Sequence, residues 1–468
     1  MKQRPSKFKR ILKRASIIKP ETVGRFQDLF YPHMADFSDV EVEQIFNALK
    51  SSPAKVSVGA SKKSWKTYLR ANDLVQDSPE AESTGTTLVN LALESGLQLW
   101  RDPEGNPWVT LVFTNRKENH PLKTKATRRY LAQLYYGAES KAANSQGILD
   151  ALTTLEAKAV FDGATHPTFV RVAEYQNKIY IDLANDTWDV IEVSADGWQV
   201  KAGHDVPVCF RRPRGLLALP IPIPGGKLDP LKDLLNLDDG CDGDDGEKPN
   251  SRSWVLLVGF LLGALRGRGP YPVLVLNGEQ GSGKSTASKI LRNLIDPSVA
   301  PLRTLPNNEG DLLISALNSL IQNYDNVSGI SRGMSDSHCR LSTGGGLAKR
   351  ELYSDDSETL IDVTRPQILN GITDFVTKQD LVDRAQLVTL PAIPETSRKS
   401  EAELWQDFET LHPFILGGLL NAVANALKNL PTTKLNELPK LADFALWVTA
   451  AEADNHLGWG QGEFVSVF

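Results

Sequence analysis

The stretch Tyr271–Thr286, YPVLVLNGEQGSGKST, constrains this chain more than any other. Val273 to Leu276 is a short apolar run, as expected for a strand buried on both faces of a parallel sheet. It ends at Asn277-Gly278, passes through GEQGSGK and enters STASKILRNLI, which is compatible with a helix. The whole reads G-x-x-x-x-G-K-[ST], with the strand before it and the helix after it that give the pattern its meaning. Gly278, Gly281 and Gly283 let backbone N–H groups approach phosphate oxygens without a Cβ in the way. Lys284 would place a point charge on the β- and γ-phosphates, and the Ser285 hydroxyl suits a magnesium ion. The positive end of the following helix adds to the attraction. The expectation is a nucleoside-triphosphate cradle built by Gly278, Glu279, Gln280, Gly281, Ser282, Gly283, Lys284, Ser285 and Thr286, with ATP and Mg2+ as its ligands.

The length of 468 residues fits three domains, and a 41% hydrophobic composition is ordinary for a soluble globular protein. The longest apolar run, Trp254 to Leu265, is too short to span a bilayer and carries two glycines, so it reads as a buried helix. Cys209, Cys241 and Cys339 lie far apart with no CxxC pair, which indicates neither a disulfide framework nor a zinc site. A reducing, cytoplasmic setting follows. Net charge is −5, which gives no global case for nucleic acid, yet residues 1–20 hold eight Lys/Arg and no acid. That stretch reads either as a basic arm on phosphate or as a solvated tail, with a transit peptide a weaker third reading.

In the N-terminal half, DVEVEQIFNALKSS predicts a helix, and an α+β pattern runs from about Thr86 to Pro224. LQLWRDPEGNPWVTLVF predicts a hairpin turning at D-P-E-G-N. KTKATRRYLAQLYYGAES and SQGILDALTTLEAKAVF have helical spacing, with Leu131, Leu134 and Tyr135 on one face. Two further hairpins are expected, turning at Gln176-Asn177 and at Ala195-Asp196-Gly197. The basic positions Lys123, Lys125, Arg128 and Arg129 beside Tyr130, Tyr135 and Tyr136 suggest either a nucleic-acid contact or, more simply, a core-facing helix. His120, His166 and His204 lack ligand spacing. The Pro/Gly-rich segment 215–226 and the acidic run 238–250 read as connectors, the latter without the spacing of a calcium loop.

After the cradle, DLLISALNSLIQNYDNVSG predicts a helix and a strand ending in Tyr324-Asp325-Asn326. A carboxylate ending the strand next to the P-loop strand is where a second, water-mediated magnesium contact is needed, and Asp325 takes that role. Asn326 stands where many such NTPases place a Glu to polarise the attacking water. Slow hydrolysis, a base supplied elsewhere (Asp336, for instance) or an Asn that orients water are the three readings. A hairpin with Lys349 and Arg350 on one arm precedes the strand PQILNGI, whose polar end, Asn370, is placed to reach the γ-phosphate or the lytic water. Arg384, just before another buried strand, is a candidate finger onto a neighbouring subunit's nucleotide.

This order of P-loop, strand-terminal Asp, hairpin, strand with Asn and then D-R before a strand resembles the AAA+ ATPases. Within them it is most similar to the hairpin-bearing helicase clade of superfamily-3-like and minichromosome-maintenance proteins. GPYPVLVLNGEQGSGKST, YDNVSGISRGMSDSHCRLSTGGGLAKRELYSDD and RPQILNGI resemble ATP-binding proteins of prophages and integrative elements, thought to act as replicative helicases or primase-helicases. The likeness covers about residues 85–468, and its motor motifs are the specific part. It implies a ring of six subunits with nucleotide at the interfaces, Lys284 and Ser285 as Walker A, Asp325 as Walker B, Asn370 as sensor 1, Arg384 as arginine finger, and Lys349 and Arg350 facing DNA in a pore.

The fold class expected is α/β: a P-loop AAA+ parallel-sheet core with an N-terminal α+β domain and a C-terminal helical region. The boundaries expected are a basic and helical or flexible segment 1–84, an accessory α+β domain 85–225, a linker 226–250, the ATPase core 251–395 and a helical lid 396–468. Relatives of this kind continue past the point where this chain ends, so a truncated or short form is expected. The function expected is an ATP-dependent helicase or translocase of a mobile element, acting on single-stranded or forked DNA as a homo-oligomeric ring, without a membrane. An ATP-gated assembly switch with weak hydrolysis is the rival, and a small-molecule kinase a more distant third.

Overall fold

The structure, a computed structural model, describes residues 6–72, 74, 82–237, 251–345, 347–350, 358–361, 363–372, 375–453 and 457–468, with backbone alone at 347–350, 358–361 and Ser397. The acidic run 238–250, with Cys241, lies outside the described residues. The chain divides into two compact units, Met1–Thr87 and Leu88–Phe468.

The first unit is helical: α1 (Lys7–Ala15), α2 (Val23–Met34), α3 (Asp39–Ser51) and α4 (Val58–Ala71). Over its described part the basic N-terminus is therefore neither an extended arm nor a tail. Serine caps start three of the helices. Ser6 Oγ accepts from Lys9 N, Ser57 Oγ accepts from Ala60 N, and Ser38 forms a capping box with Glu41. Ile11, Phe26, Tyr31, Met34, Ile45, Phe46 and Leu49 make this unit's own core.

The second unit opens within α5 (Thr84–Glu94) and continues with β1 (Gln98–Arg101), β2 (Pro107–Val112), β3 (Lys117–Pro121), α6 (Lys125–Glu139), α7 (Ser145–Phe161), β4 (Ala164–Thr165) and β5 (Thr168–Phe169). The sheet order is β3-β2-β1-β4. The expected first hairpin is present, its turn held by Asp102, whose carboxylate accepts from Asn106 N and Trp108 Nε1. Leu131 of α6 is fully buried, and Leu134 and Tyr135 pack beside it.

Next come β6 (Val172–Tyr175), β7 (Lys178–Asp182), β8 (Val190–Ser194), β9 (Gly197–Lys201) and β10 (Cys209–Phe210), which pairs with β5. The two hairpins read from sequence join into one meander, β6-β7-β8-β9. Gln176 and Asn177 both have positive φ, 49° and 58°, as a primed two-residue turn requires.

The remainder holds α8 (Arg252–Ala264), β11 (Val273–Asn277), α9 (Lys284–Ile295), α10 (Glu309–Asn318), β12 (Gln322–Tyr324), α11 (Arg332–Thr343), β13 (Leu347–Arg350), β14 (Glu358–Ile361), β15 (Gln367–Asn370), α12 (Gln379–Val382), β16 (Ala385–Thr389), α13 (Glu401–Asn429), α14 (Ala442–Ala451) and α15 (Glu463–Val467). β11 is buried along Val273–Leu276 and sits inside an all-parallel sheet of order β12-β15-β11-β16. One expectation is corrected here. The strand that ends at Asp325 is not next to the P-loop strand, because β15 pairs with both and lies between them. The local sequence does not report strand order, since QNY of β12 and QILN of β15 are both fully buried and either could stand beside β11.

Val172, Ile179, Ile181, Ile191 and Val193 of the meander share one hydrophobic cluster with α8, α9, α13 and α14. The meander and the P-loop segment thus have a continuous core, while α5, β2, α6 and α7 bury a separate cluster of their own. α13 is long and apolar enough to cross a membrane by length and composition alone, but 67% of its most apolar window is buried inside the protein. That is the behaviour of a core helix.

α8 is buried from Trp254 through Ala264, and its two glycines are slots for aromatic rings. A Cβ on Gly259 would lie 2.4 Å from the Phe464 ring, and one on Gly263 would lie 2.5 Å from that of Phe444. Gly259→Ala is expected to destabilise the protein by about 1–2 kcal/mol, overpacking outweighing the roughly 1 kcal/mol that Ala gains in a helix. Chemical denaturation checks this, and an unchanged or raised midpoint would refute the slot.

Candidate functional site

The cradle forms where β11 gives way to α9. Gly283, at φ +80°, is the N-cap of α9, and Gly278, at φ +153°, leaves no room for a side chain. A Cβ there would meet Leu390 O at 2.5 Å and Ser282 Oγ at 2.7 Å. Lys284, the first residue of α9, is buried, and its Nζ donates to Gly278 O and Glu279 O, each at 2.8 Å. Burial pulls its pKa down, opposed by the charge of Asp325. The cation is thus held by carbonyls of the loop it serves.

Ser285 Oγ donates to Asp325 Oδ1 at 2.9 Å, although 40 residues separate them in the chain. Asp325 follows the last residue of β12, so parallel register brings its carboxylate to the end of the sheet where the P-loop lies. Asn370, the last residue of β15, is 1% exposed with both amide atoms engaged. Its Oδ1 accepts from Asn326 N at 3.1 Å and its Nδ2 donates to Ser288 Oγ at 3.0 Å. Asn370 therefore ties the turn after Asp325 to the first turns of α9. Gln280, Gly281, Gly283–Thr286, Asp325, Asn326, Asn370, Gly371 and Ile372 line an open cleft of about 420 Å3.

Of the expected cradle residues, Gly278 and Glu279 contribute carbonyls to Lys284, Ser282 is fully buried beneath the loop, and the rest face the cleft. Asn326 has φ +54°, a left-handed conformation that Asn tolerates far better than Glu. This is a local reason for the departure noted in the sequence. Asp325 is the one carboxylate among the described residues lining the cleft. Asp336 sits on the exposed side of α11 and is not part of it.

Arg384 precedes β16, whose register with β11 puts it at the sheet end opposite the P-loop, and its guanidinium donates to Asp380 O of α12. Lys349 and Arg350 lie on the expected hairpin, β13 paired with β14, but their side chains fall outside the described residues. Among the described residues no group of His, Cys, Asp and Glu could hold a metal ion. A magnesium ion bound with a nucleotide needs no such group. A hydroxyl and one carboxylate, both hard oxygen donors, are what Ser285 and Asp325 present.

Sequence reasoning missed three participants. Asn236 Nδ2 donates to Ser282 O at 3.1 Å and Pro391 O at 2.5 Å, stapling the P-loop to the segment after β16. Arg398 comes within 4.0 Å of where a Gly281 Cβ would stand. Ser288 anchors Asn370, and its backbone carbonyl accepts from Asn323. Only Ser288, one turn beyond Lys284, carried a hint in its spacing.

Residues 248–461 match the family of actinomycete integrative conjugative element replication proteins, a span that takes in the P-loop, the parallel sheet, α13 and α14. It is a little under half of the chain. No curated protein matches. Among solved structures, the apo C-terminal region of NrS-1 aligns over 72% of this chain and 69% of its own at 14% identity, with a TM-score of 0.38. A second structure of that region, in its A form, gives 71%, 69%, 13% and 0.38. At these TM-scores the likeness fixes neither fold nor function.

Proposed function

We propose that this chain is an ATP-dependent DNA motor serving the replication of a mobile genetic element. The observation that carries the reading is the Ser285–Asp325 hydrogen bond beside the buried Lys284, at the carboxyl ends of parallel strands. A buried cation and two hard oxygens of the kind magnesium takes stand together in a cleft of nucleotide size, which supports the reading. The match to replication proteins of integrative conjugative elements over the same segment supports the biological setting.

In this reading Lys284 exchanges its loop carbonyls for β- and γ-phosphate oxygens. Ser285 and Asp325 would hold a magnesium ion, which would supply positive charge to the transferred phosphoryl group. Asn326 and Asn370 position the lytic water. Arg384 lies too far round the sheet to serve its own cleft, so a catalytic role for it requires a second copy and hence a ring, six subunits being our reading. Lys349 and Arg350 grip single-stranded or forked DNA at the hairpin, and the protein works in the cytoplasm.

ATP turnover with and without single-stranded DNA tests this. DNA is expected to raise the rate several-fold, and a chain that neither binds DNA nor responds to it is no DNA motor. The ATP-gated switch stands as a second reading on one observation, the lack of a second carboxylate among the described residues lining the cleft. Turnover at background with ATP-dependent assembly would select it.

A further inference from the structure

The net charge of −5 conceals a strong asymmetry. Between Ser6 and Asn72 stand thirteen Lys/Arg against six Asp/Glu. They are sorted by element. α1 carries Lys7, Lys9, Arg10, Lys13 and Arg14 and no acid, while the acids fall at Glu21, on α2 and α3, and at Asp36 between them.

α1 presents this charge in a fixed direction. Its Ile11 and Ala15 are buried in the unit's core, with Phe8 and Leu12 packed beside them. At 100° per residue that turns Lys9, Arg10 and Lys13 to the opposite side, flanked by Lys7 and Arg14. Lys7 Nζ lies 3.8 Å from Asp36 Oδ2. Lys9, Arg10, Lys13 and Arg14 are exposed and make no ion pair among the described residues.

Folding alone gives no reason for this arrangement. Lys9 with Lys13 and Arg10 with Arg14 are like-charge i,i+4 pairs, each costing about 0.2–0.5 kcal/mol. Lys7, Lys9 and Arg10 also stand at the positive end of the helix dipole. A partner with dense negative charge reverses both penalties. A lipid surface is a poor fit, because an interfacial helix must turn its apolar face to the membrane and here that face is in the core.

We infer that the outer face of α1 binds the phosphate backbone of DNA without reading sequence, a second grip on the polymer independent of the nucleotide cleft. The inference rests on the DNA reading above. It is tested with the full-length chain, without nucleotide, by fluorescence anisotropy on a labelled duplex and a single strand over about 50–200 mM salt. The variant is K9A/R10A/K13A/R14A, in which alanine preserves helix propensity, and a thermal melt confirms folding.

On duplex the variant's log–log salt slope is expected to flatten by roughly 3–4, about 0.9 per lost contact and 0.7 on a single strand. Affinity at the lowest salt should fall by several hundred-fold or more, on the order of 4 raised to the change in slope beyond the loss left at about 200 mM, with DNA-independent ATP turnover unchanged. The charge-keeping variant K9R/K13R should bind as the parent does. An unchanged slope in the folded quadruple variant overturns the inference and leaves the motor reading standing. A parent chain that binds no DNA overturns both, as does binding to phosphatidylserine vesicles in place of DNA.

Discussion

Lys284→Ala is expected to lower ATP turnover about 1000-fold while the protein stays folded. Removing one pre-positioned charged donor from a phosphoryl-transfer or oxyanion site costs on the order of 100- to 1000-fold, and the larger figure applies for two structural reasons. Lys284 is the only cation among the described residues lining the cleft, and Arg398, which approaches Gly281, stands outside that lining. Its ammonium is already held at 2.8 Å by Gly278 O and Glu279 O, which fixes it beside the phosphate path before a ligand arrives. A 1000-fold loss corresponds to about 4 kcal/mol of transition-state stabilisation. Steady-state turnover of parent and variant, with circular dichroism to confirm folding, checks it. A variant retaining more than about a tenth of the parent rate would remove Lys284 from the mechanism, because ordinary ground-state contacts are lost at that level.

The cradle is the part of this molecule that was legible in the sequence. G-x-x-x-x-G-K-[ST] between an apolar run and a helical run dictates the strand, the loop and the helix N-terminus, and each is where the spacing put it. Short-range patterns were read well for the same reason. The Gln176-Asn177 turn and the buried character of α8 are written in neighbouring residues. The failures are all long-range. Nothing in Gln322–Tyr324 or Gln367–Asn370 says which of them pairs with β11, so the insertion of β15 was invisible. Nothing near Asn236 says that it closes over a loop 46 residues away. The left-handed φ of Asn326, which accounts for the missing Glu, is a property of the turn that Asn370 holds and not of the local sequence. The basic N-terminus reads as an arm or a tail because its charge density hides the helical spacing of Ile11 and Ala15, which only their burial reveals.

The clearest case of a determinant hidden from sequence is Arg171, which reads as an ordinary polar position beside a strand. It is fully buried at φ +65°, and its guanidinium donates to Asp182 O at 2.7 Å, Leu217 O at 2.6 Å and Asp296 Oδ1 at 3.4 Å. Asp296 caps the end of α9, and its Oδ2 accepts from Ile321 N at 3.0 Å. One side chain thus connects the meander, the Pro/Gly-rich connector and the far end of the P-loop helix. Burial pulls the Arg171 pKa down, and the charges of Asp296 and Asp182 oppose it. Arg171→Ala would leave Asp296 buried with its nearest cation, Arg292, 3.9 Å away, and would empty a guanidinium-sized volume. Breaking a buried pair in this way costs about 3–5 kcal/mol, a large share of a domain's total stability. Arg171→Ala is therefore expected to unfold at a much lower urea concentration, whereas Arg171→Ala combined with Asp296→Asn recovers part of the loss because the orphaned charge is gone. A single-variant loss below about 1 kcal/mol would mean that water enters and solvates Asp296, and that the meander and α9 are joined by apolar packing alone.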